Sequence, residues 1–293
     1  MKLKKKKKYK KHEWLRDLRE SKSALLSAIF LGIIILIAIF APVISPHDPN
    51  HTNLRVRLLP PVPIEGSNPE HPLGTDSVGR DIAARLIYGA RISLMVGFIA
   101  VVISGVIGVA LGLITGYFGG WIDDVIMRLA DIQLAFPFIL LMLAVLAVVG
   151  PGLWNVILVL GVTGWVAYSR VVRGSVMSLR EKEFIEAARA IGVTNSRIIV
   201  KHLIPNIIGP VVVIASFSVS RTIIAEASLS FLGLGVEAET ATWGKMLSEG
   251  RLYISDAWWL TTLPGICLAL TVLCVNVFGD WLRDMVDPKS VER

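Results

Sequence analysis

Side chains that could bind a metal ion are concentrated near the start of the chain. His47, Asp48, His51, His71 and Asp76 carry imidazoles and carboxylates, which are ligands that zinc accepts in proteins. Their spacing matches no known metal-binding signature, in which ligands recur at short fixed intervals. The sequence therefore predicts no metal site, and we expect this stretch to form a loop.

Motifs for phosphate binding or hydrolysis are equally absent. The only Gly-Lys pair, Gly244-Lys245, is followed by methionine and lacks the upstream glycine of a P-loop. No G-x-S-x-G or H-E-x-x-H motif occurs. The chain is therefore predicted not to be an enzyme, to have no ATPase site of its own and to need no cofactor.

One polar segment, from about residue 181 to 206, combines charge with helical periodicity. Phe184, Ile185, Ala188 and Ile191 recur at nearly helical spacing, which predicts one apolar face on a short helix. A helix of this kind must rest its apolar face on another surface.

The polar side of this short helix carries Glu186, which is spaced to pair with Lys182 or Arg189. Gly192 is expected to end the helix, because glycine adopts the left-handed conformation of a C-cap easily. The predicted helix therefore has a charged outer side and a defined end.

A second short helix is expected to follow, capped by Thr194 or Asn195. Two short helices joined by a sharp turn could act in two ways. Ala187 and Ala188 leave room for another protein surface, and Glu186 offers that surface a charge. The same pattern is typical of an amphipathic helix lying on lipid headgroups. The residues alone leave both interpretations open.

Long uncharged runs determine the class of protein. The chain is 54% hydrophobic and 18% charged, and its apolar runs reach the roughly 20 residues that a membrane helix needs. Gly108 and Gly112 form a small-xxx-small pair, which should let a neighbouring helix approach closely. The predicted spans are Ala24–Val43, Ile92–Phe118, Ile132–Val149, Leu153–Tyr168, about Ile207–Ala225 and about Ala257–Phe278.

Positive charge predicts the orientation. The net charge is +7, and much of it lies in the lysine tract Lys2–Lys11, on the N-terminal side of the first span. The positive-inside rule places this tract, and hence the N-terminus, in the cytoplasm. Because the tract abuts a hydrophobic segment, it is typical of contact with anionic lipid and not with nucleic acid. The loop between the fourth and fifth spans should also be cytoplasmic, and its cations are Arg170, Arg173, Arg180, Lys182, Arg189, Arg197 and Lys201.

This same loop resembles the EAA loop of ABC importer permeases. Glu186-Ala187-Ala188 is followed by Gly192 and by His202-Leu203-Ile204-Pro205 at the spacing of that motif. The general motif has isoleucine and leucine where this sequence has His202 and Ile204. In the family the loop forms a coupling helix that sits in a cleft of a cytoplasmic ATPase. The coupling residues that the resemblance implies are Glu186, Ala187, Ala188, Gly192, Leu203 and Pro205.

Two further segments narrow the resemblance. Taken singly, the first segment could be plain turns and the second mere hydrophobic packing. Together and in this order they resemble the dipeptide, oligopeptide and nickel permeases, and within them the C-type subunit that pairs with a related permease. The segments are His71-Pro72-Leu73-Gly74-Thr75-Asp76 with Gly79-Arg80-Asp81 and Gly89-Ala90-Arg91, and Ser228–Gly235 with Trp243-Gly244.

The resemblance implies an all-α, polytopic membrane bundle with six transmembrane helices and the fold of a type I ABC importer permease. The expected location is the cell membrane, that is, the inner or plasma membrane. The expected parts are a basic cytoplasmic tail (1–23), a first transmembrane helix (24–44), an external loop (45–91), a permease core (92–280) and a cytoplasmic tail (281–293).

The implied function is to form half of a pathway for di- or oligopeptides in a binding-protein-dependent importer. The implied partners are a homologous second permease subunit, two cytoplasmic ATP-binding subunits, an extracytoplasmic substrate-binding protein and the lipid bilayer, but no nucleic acid. A permease for nickel or another small solute is an alternative within the family. An ion-coupled secondary transporter is an alternative outside it.

Two ionisable residues, Arg221 and Glu226, lie near the end of the fifth predicted span. Their spacing is poor for a helical ion pair. One explanation is that they snorkel to the outer interface. The other is that Arg221 faces the pathway and meets a peptide carboxylate, since charges inside spans commonly mark substrate paths.

Overall fold

Helices make up the regular structure of this protein in the computed structural model, which describes residues 13–237 and 239–286. No β-strand occurs within these residues, only an isolated bridge between Thr75 and Asp81, so the all-α class is confirmed. The lysine tract Lys2–Lys11 and the end of the expected C-terminal tail lie outside the described residues. The α-helices are α1 Glu13–Glu20, α2 Lys22–Ile39, α3 Ala41–Ile44, α4 Ile82–Phe118, α5 Gly120–Leu134, α6 Phe138–Val149, α7 Leu153–Thr163, α8 Trp165–Arg180, α9 Glu183–Ala190, α10 Asn195–Ile198, α11 Ile204–Phe231, α12 Trp243–Gly250 and α13 Trp259–Val286.

Five helical stretches of the described chain are long and apolar enough to cross a membrane. They are α2, α4, α7 with α8, α10 through α11, and α13. A sixth candidate is the pair α5 and α6, which is apolar enough but bends by 91°. The structure therefore has up to six spans, in agreement with the six that the sequence predicts.

The third predicted span, Ile132–Val149, is interrupted by a sharp bend. The helix breaks at Pro137, with α5 before it and α6 after it. Proline has no amide hydrogen to donate, and it disfavours a helical conformation in the preceding residue, Phe136. Hydropathy reports how apolar a run is and cannot report this bend.

The second span is longer than its apolar run, because α4 begins outside it. The Asp81 carboxylate accepts a hydrogen bond from the Ala84 amide at 2.7 Å, which caps the helix. Arg85 and Arg91, which the sequence assigns to the external loop, lie within this 37-residue helix. At 1.5 Å per residue α4 is about 55 Å long, whereas the hydrocarbon core of a bilayer is only about 30 Å thick.

A row of glycines brings α4 and α8 into close contact. A Cβ atom at Gly108 would lie 2.5 Å from the Trp165 carbonyl oxygen, and one at Gly112 would lie 2.7 Å from the Ser169 carbonyl oxygen. Gly116 continues the row against α8. The close approach predicted for the Gly108–Gly112 pair is confirmed.

Gly112→Ala is expected to destabilise the permease bundle by about 1–3 kcal/mol, the usual cost of overpacking. The added methyl group would meet the Ser169 carbonyl oxygen and the Val172 Cβ, both at 2.7 Å, so the two helices must separate. The measurement is the midpoint of thermal unfolding of the protein purified in detergent.

Gly174→Ala is the matched control for that experiment. Gly174 lies on α8, and nothing comes within 4 Å of a Cβ placed there. Its unfolding midpoint should equal or slightly exceed that of the wild type, because alanine favours helix more than glycine does. Equal midpoints for the two variants would contradict the close-packing argument.

The helix α4 connects two clusters at opposite ends of the bundle. Near its start, Leu86 packs with Trp243 of α12. Near its end, Tyr117 packs with Ile185 of α9. These two contacts are about 45 Å apart along the helix axis, so they lie on opposite sides of a bilayer.

Candidate functional site

The elbow, defined here as residues 183–198, rests on the bundle through a narrow apolar face. Ile185 and Ala188 are buried in the cluster at the end of α4. Phe184 and Ile191, which the periodicity assigns to the same face, are 44% and 80% exposed. The predicted face is therefore too wide, because a two-turn helix contacts the bundle along a single line of residues.

Gly192 ends α9 in the way that the sequence predicts. Its φ is +77°, in the left-handed region. The amide of Val193 donates to the Ala188 carbonyl at 3.0 Å, and the amide of Gly192 donates to the Arg189 carbonyl at 2.9 Å. This pair of hydrogen bonds is a Schellman motif, which satisfies the last carbonyls of the helix and turns the chain sharply.

The second half of the elbow is held by a side chain from α4. Thr194 occupies the N-cap position of α10, but its side chain makes no capping hydrogen bond. The Asn195 amide oxygen accepts a hydrogen bond from the Tyr117 hydroxyl at 2.8 Å. A π turn over Ile199–Leu203 then leads into α11, whose first turn contains Pro205.

Tyr117 braces the elbow in two further ways. The Arg189 guanidinium lies 5.1 Å from the centroid of its ring, a cation–π contact worth roughly 0.5–1 kcal/mol at an exposed site. The backbone carbonyl of Tyr117 also accepts a hydrogen bond from Arg180 Nη1 at 3.2 Å. Within the described chain neither Arg189 nor Lys182 forms the ion pair with Glu186 that their spacing allows. The Glu186 carboxylate is thus left for other contacts.

The residues expected to couple to an ATPase divide into two groups. Ala188 and Leu203 are buried and belong to the cluster that anchors the elbow. The exposed members are Glu186, Ala187, Gly192 and Pro205. The elbow therefore presents a carboxylate beside a small side chain, on a base fixed by packing and hydrogen bonds.

At the other end of α4, four charged side chains form a network. Asp76 Oδ2 accepts hydrogen bonds from Arg80 Nε at 2.5 Å and from Arg85 Nη1 at 2.7 Å. The Glu249 carboxylate of α12 lies 2.8 Å from a guanidinium nitrogen of each arginine. Arg85 is only 1% exposed, so two carboxylates from separate segments hold a buried cation.

Glycines in the loop before α4 have backbone conformations that other residues rarely adopt. Gly74 and Gly79 have φ values of +81° and +79°. A Cβ at Gly79 would lie only 1.9 Å from the Asn53 carbonyl oxygen. The turn interpretation of these motifs is therefore correct for both glycines.

The two narrower sequence motifs touch each other beside this network. The Trp243 indole nitrogen donates to the Leu86 carbonyl at 3.1 Å. A Cβ at Gly89 would lie 3.0 Å from the same indole ring, and one at Gly244 would lie 2.4 Å from the Ala227 Cα. Gly89 and Gly244, one from each motif, are therefore required for this close packing.

A cavity of about 280 Å³ opens between α5, α6, α7, α8 and α11. Arg221 lines it and has no ion-pair partner among the described residues. Gln133 and Thr163 line it too, joined by a hydrogen bond of 2.6 Å between the Gln133 amide and the Thr163 carbonyl. Interrupted helices at membrane depth normally line a water-filled path or are buried in protein, and the break at Pro137 borders this cavity.

Glu226 does not snorkel, because its side chain is buried, whereas Arg221 is exposed and lines the cavity. Ile223, between them, packs against Gly97 near the middle of α4. Glu226 is fully buried, and it accepts hydrogen bonds from the hydroxyls of Ser230 at 2.8 Å and Ser93 at 3.4 Å. The contact between α11 and α4 sets their depth, which hydropathy cannot predict.

Comparison with known families identifies the class. The family model described as the binding-protein-dependent transport system inner membrane component matches residues 108–291. The chain belongs to this family of ABC importer permeases. A model of the N-terminal TM domain of oligopeptide transport permease C also matches the permease, over residues 12–61, which confirms the C-type resemblance.

Individual relatives agree with this assignment. The permease is 45% identical over 277 residues to the dipeptide transport system permease protein DppC of Alkalihalophilus pseudofirmus, covering 94% of this chain and 89% of that protein. It is 41% identical over 277 residues to the di/tripeptide transport system permease protein DppC of Pseudomonas aeruginosa, covering 94% and 91%. An inward-facing structure of the MetNI methionine ABC transporter has the same fold, with a TM-score of 0.55 and 22% identity over 69% of this chain and 96% of that chain.

Sequence patterns did not single out two residues that hold these sites together, Tyr117 and Glu249. Tyr117 stands at the end of an apolar run, where nothing distinguishes it from a lipid-facing aromatic residue. Glu249 lies five residues after the motif Trp243-Gly244, so that motif was a signal that the segment around α12 has a specific partner.

Proposed function

We propose that this permease forms half of the translocation pathway of an importer for di- or oligopeptides. The similarity to dipeptide and di/tripeptide permeases over nearly the whole chain supports this cargo class. In this proposal the chain supplies no ATPase site. Its partners are a homologous second permease, two cytoplasmic ATP-binding subunits and an extracytoplasmic substrate-binding protein.

The coupling role is supported above all by the build of the elbow. A lipid-bound amphipathic helix needs a broad apolar face toward the bilayer, yet the apolar residues Ile185 and Ala188 are already buried against the bundle. Phe184 and Ile191 are exposed near opposite ends of α9, and between them the elbow exposes Glu186 with Ala187. Such a surface suits contact with a cationic protein partner, and its rigid base can transmit a movement of that partner to α8 and α11.

The end of the bundle that carries the elbow is proposed to face the cytoplasm. Ala38, near the end of α2, packs in the opposite cluster, so the start of α2 points toward the elbow's end. Val286 of α13 lies beside Gly209, 2.6 Å from a Cβ placed there. The start of α2 and the end of α13 then share the elbow's side, and the positive-inside rule, applied to the cations of the sequence, assigns that side to the cytoplasm.

Reconstituted uptake tests the importer proposal. The permease, its second permease and the ATP-binding subunits are placed in proteoliposomes, and entry of a labelled dipeptide is measured with the substrate-binding protein present. Uptake should require ATP and persist when ion gradients are abolished. Uptake that ignores ATP but collapses with an ionophore would favour the secondary transporter, and uptake of nickel without any peptide would favour the small-solute alternative.

Arg221→Gln is expected to slow the uptake of dipeptides that have a free C-terminal carboxylate by about tenfold. Hydrogen bonds to charged groups contribute about 1.5–3 kcal/mol, and 1.4 kcal/mol is a factor of ten. The reason is that Arg221 is a cation without an ion-pair partner in the described chain, and it lines a cavity between the helices of the bundle. The measurement is the initial rate in the proteoliposomes described above.

Peptides capped with a C-terminal amide provide the internal comparison. The ratio of variant to wild-type uptake should stay near one for these peptides, because they have no C-terminal carboxylate for Arg221 to contact. Taking the ratio for each peptide also cancels the preference of the substrate-binding protein. Arg55→Gln, at an exposed cation of the external loop, is the control for loss of charge. If Arg221→Gln changed the uptake rate of neither kind of peptide, Arg221 would not act in the pathway.

A further inference from the structure

Three metal-ligating side chains meet at the outer end of α4, although they are far apart in the sequence. Asp81 Oδ2 lies 2.8 Å from His71 Nδ1 and 3.7 Å from His47 Nδ1. The potential ligand atoms of the three residues all lie within 4.8 Å of one another. The histidines come from the two ends of the external loop, and Asp81 caps α4, so the loop's own fold creates this cluster.

The arrangement of Asp81 leaves one carboxylate oxygen for the two imidazoles. Its Oδ1 is occupied by the Ala84 amide at 2.7 Å, which fixes the carboxylate in place. Its Oδ2 faces both histidine rings, and Asp81 itself is almost fully buried. A fixed carboxylate oxygen between two imidazoles is a typical start of a transition-metal site, in which a further contact orients each ligand.

A simple hydrogen bond explains only part of this geometry. The bond between His71 and Asp81 would by itself tie the loop to α4. His47 needs another explanation, since its Nδ1 is beyond hydrogen-bonding distance of Asp81 and its ring lies 5.0 Å from the ring of His71. Nothing else among the described residues bonds the His47 ring.

We propose that His47, His71 and Asp81 bind a divalent transition-metal ion of the zinc class on the external face of this protein. Two imidazoles and one carboxylate are a known zinc ligand set, with water in the fourth position. Ligand atoms around tetrahedral zinc, at bond lengths of about 2.0–2.1 Å, lie about 3.3 Å apart. Binding would therefore widen the 2.8 Å contact between His71 and Asp81 slightly and draw the His47 ring inward from 3.7 Å.

The site is open to an ion from outside. The His47 side chain is 38% exposed, whereas that of His71 is 13% exposed. His47 also lines an open pocket of about 670 Å³, together with Asp48, Tyr88 and Glu239. A bound ion would join both ends of the external loop to the start of α4, so the expected consequence is a more rigid outer surface.

Metal titration of the full-length permease, purified with its partner subunits and free of affinity tags, tests this proposal. We expect one tightly held Zn²⁺ per permease by mass spectrometry of the metal content after desalting. Co²⁺ at the same site should give the visible absorption of a tetrahedral complex. Mg²⁺, which prefers six oxygen ligands, should not compete.

His47→Gln is the decisive variant, because it removes a ligand without removing a hydrogen bond that the fold uses. It should lower the Zn²⁺ affinity by at least about tenfold. Loss of a residue that only supports a metal ligand already costs about 10–100-fold, and loss of a ligand itself should cost no less. His51→Gln, at an exposed histidine outside the cluster, should bind as the wild type does. If the variant elutes as a folded complex, any loss of Zn²⁺ binding comes from the missing ligand and not from unfolding.

Two results would overturn the proposal. One is Zn²⁺ binding of equal affinity and stoichiometry in the wild type and in His47→Gln. The other is Zn²⁺ retained by the wild type at no more than background level. Neither result bears on peptide uptake or on the elbow, because the cluster lies at the opposite end of α4 from the elbow.

Discussion

Replacing Glu186 with arginine should abolish ATP-driven uptake while leaving the permease folded. The elbow is anchored by residues on its inner side, and Glu186 lies on the exposed side, where it forms no ion pair in the described chain. If a cationic surface of the ATPase receives this carboxylate, reversal of its charge creates a like-charge contact that costs several kcal/mol. A loss of about 3 kcal/mol weakens the contact by roughly 100-fold.

Two measurements separate coupling from folding in this experiment. Co-purification in mild detergent reports how much ATPase stays bound, and thermal unfolding reports whether the permease itself is intact. Glu186→Arg should lose the ATPase and the uptake but keep its unfolding midpoint. Normal uptake by Glu186→Arg would refute the coupling role of the elbow.

Glu181→Arg is the matched control for this charge reversal. Glu181 is exposed on the connection between α8 and α9, and its ion pair with Arg180 is long, at 3.4 Å. Surface ion pairs of this kind contribute about 0–1 kcal/mol. Uptake by Glu181→Arg should therefore stay within about fivefold of the wild type, since each 1.4 kcal/mol is a factor of ten.

Asp76→Asn should destabilise the end of the bundle opposite the elbow by about 3 kcal/mol, because breaking one partner of a buried ion pair typically costs 3–5 kcal/mol. The substitution keeps an oxygen that can accept the loop's backbone hydrogen bonds but removes the charge facing Arg85 and Arg80. Glu249 still faces both arginines, so we expect the lower end of that range. The readout is the shift of the unfolding midpoint in detergent.

The same substitution at Asp48 provides the control. Asp48 also accepts a backbone hydrogen bond, from the Asn50 amide at 2.8 Å, but it does so in an exposed turn. Asp48→Asn should leave the midpoint nearly unchanged. Adding Arg85→Met to Asp76→Asn should restore part of the loss, because the uncompensated buried cation is then gone. Equal midpoints for Asp76→Asn and Asp48→Asn would contradict the role of the network.

The sequence by itself determined the helical class, the number of spans and the short helices of the elbow. These are consequences of local properties: the length of an apolar run, the period of apolar residues and the special conformations of glycine and proline. Gly192 shows this well, since its place at the end of a short amphipathic pattern was enough to predict the turn. The coupling role of Glu186 stays a prediction, because it depends on a partner surface.

The tertiary structure decided which distant residues meet. The sequence interval between Gly97 and Ile223 says nothing of their contact, yet that contact places Glu226 in a buried site and the neighbouring Arg221 beside a cavity. The fold of the external loop likewise brought His47 and His71 to the same carboxylate. Helix packing and loop closure are set by many long-range contacts at once, so spacing along the chain, which predicts local structure well, does not encode them.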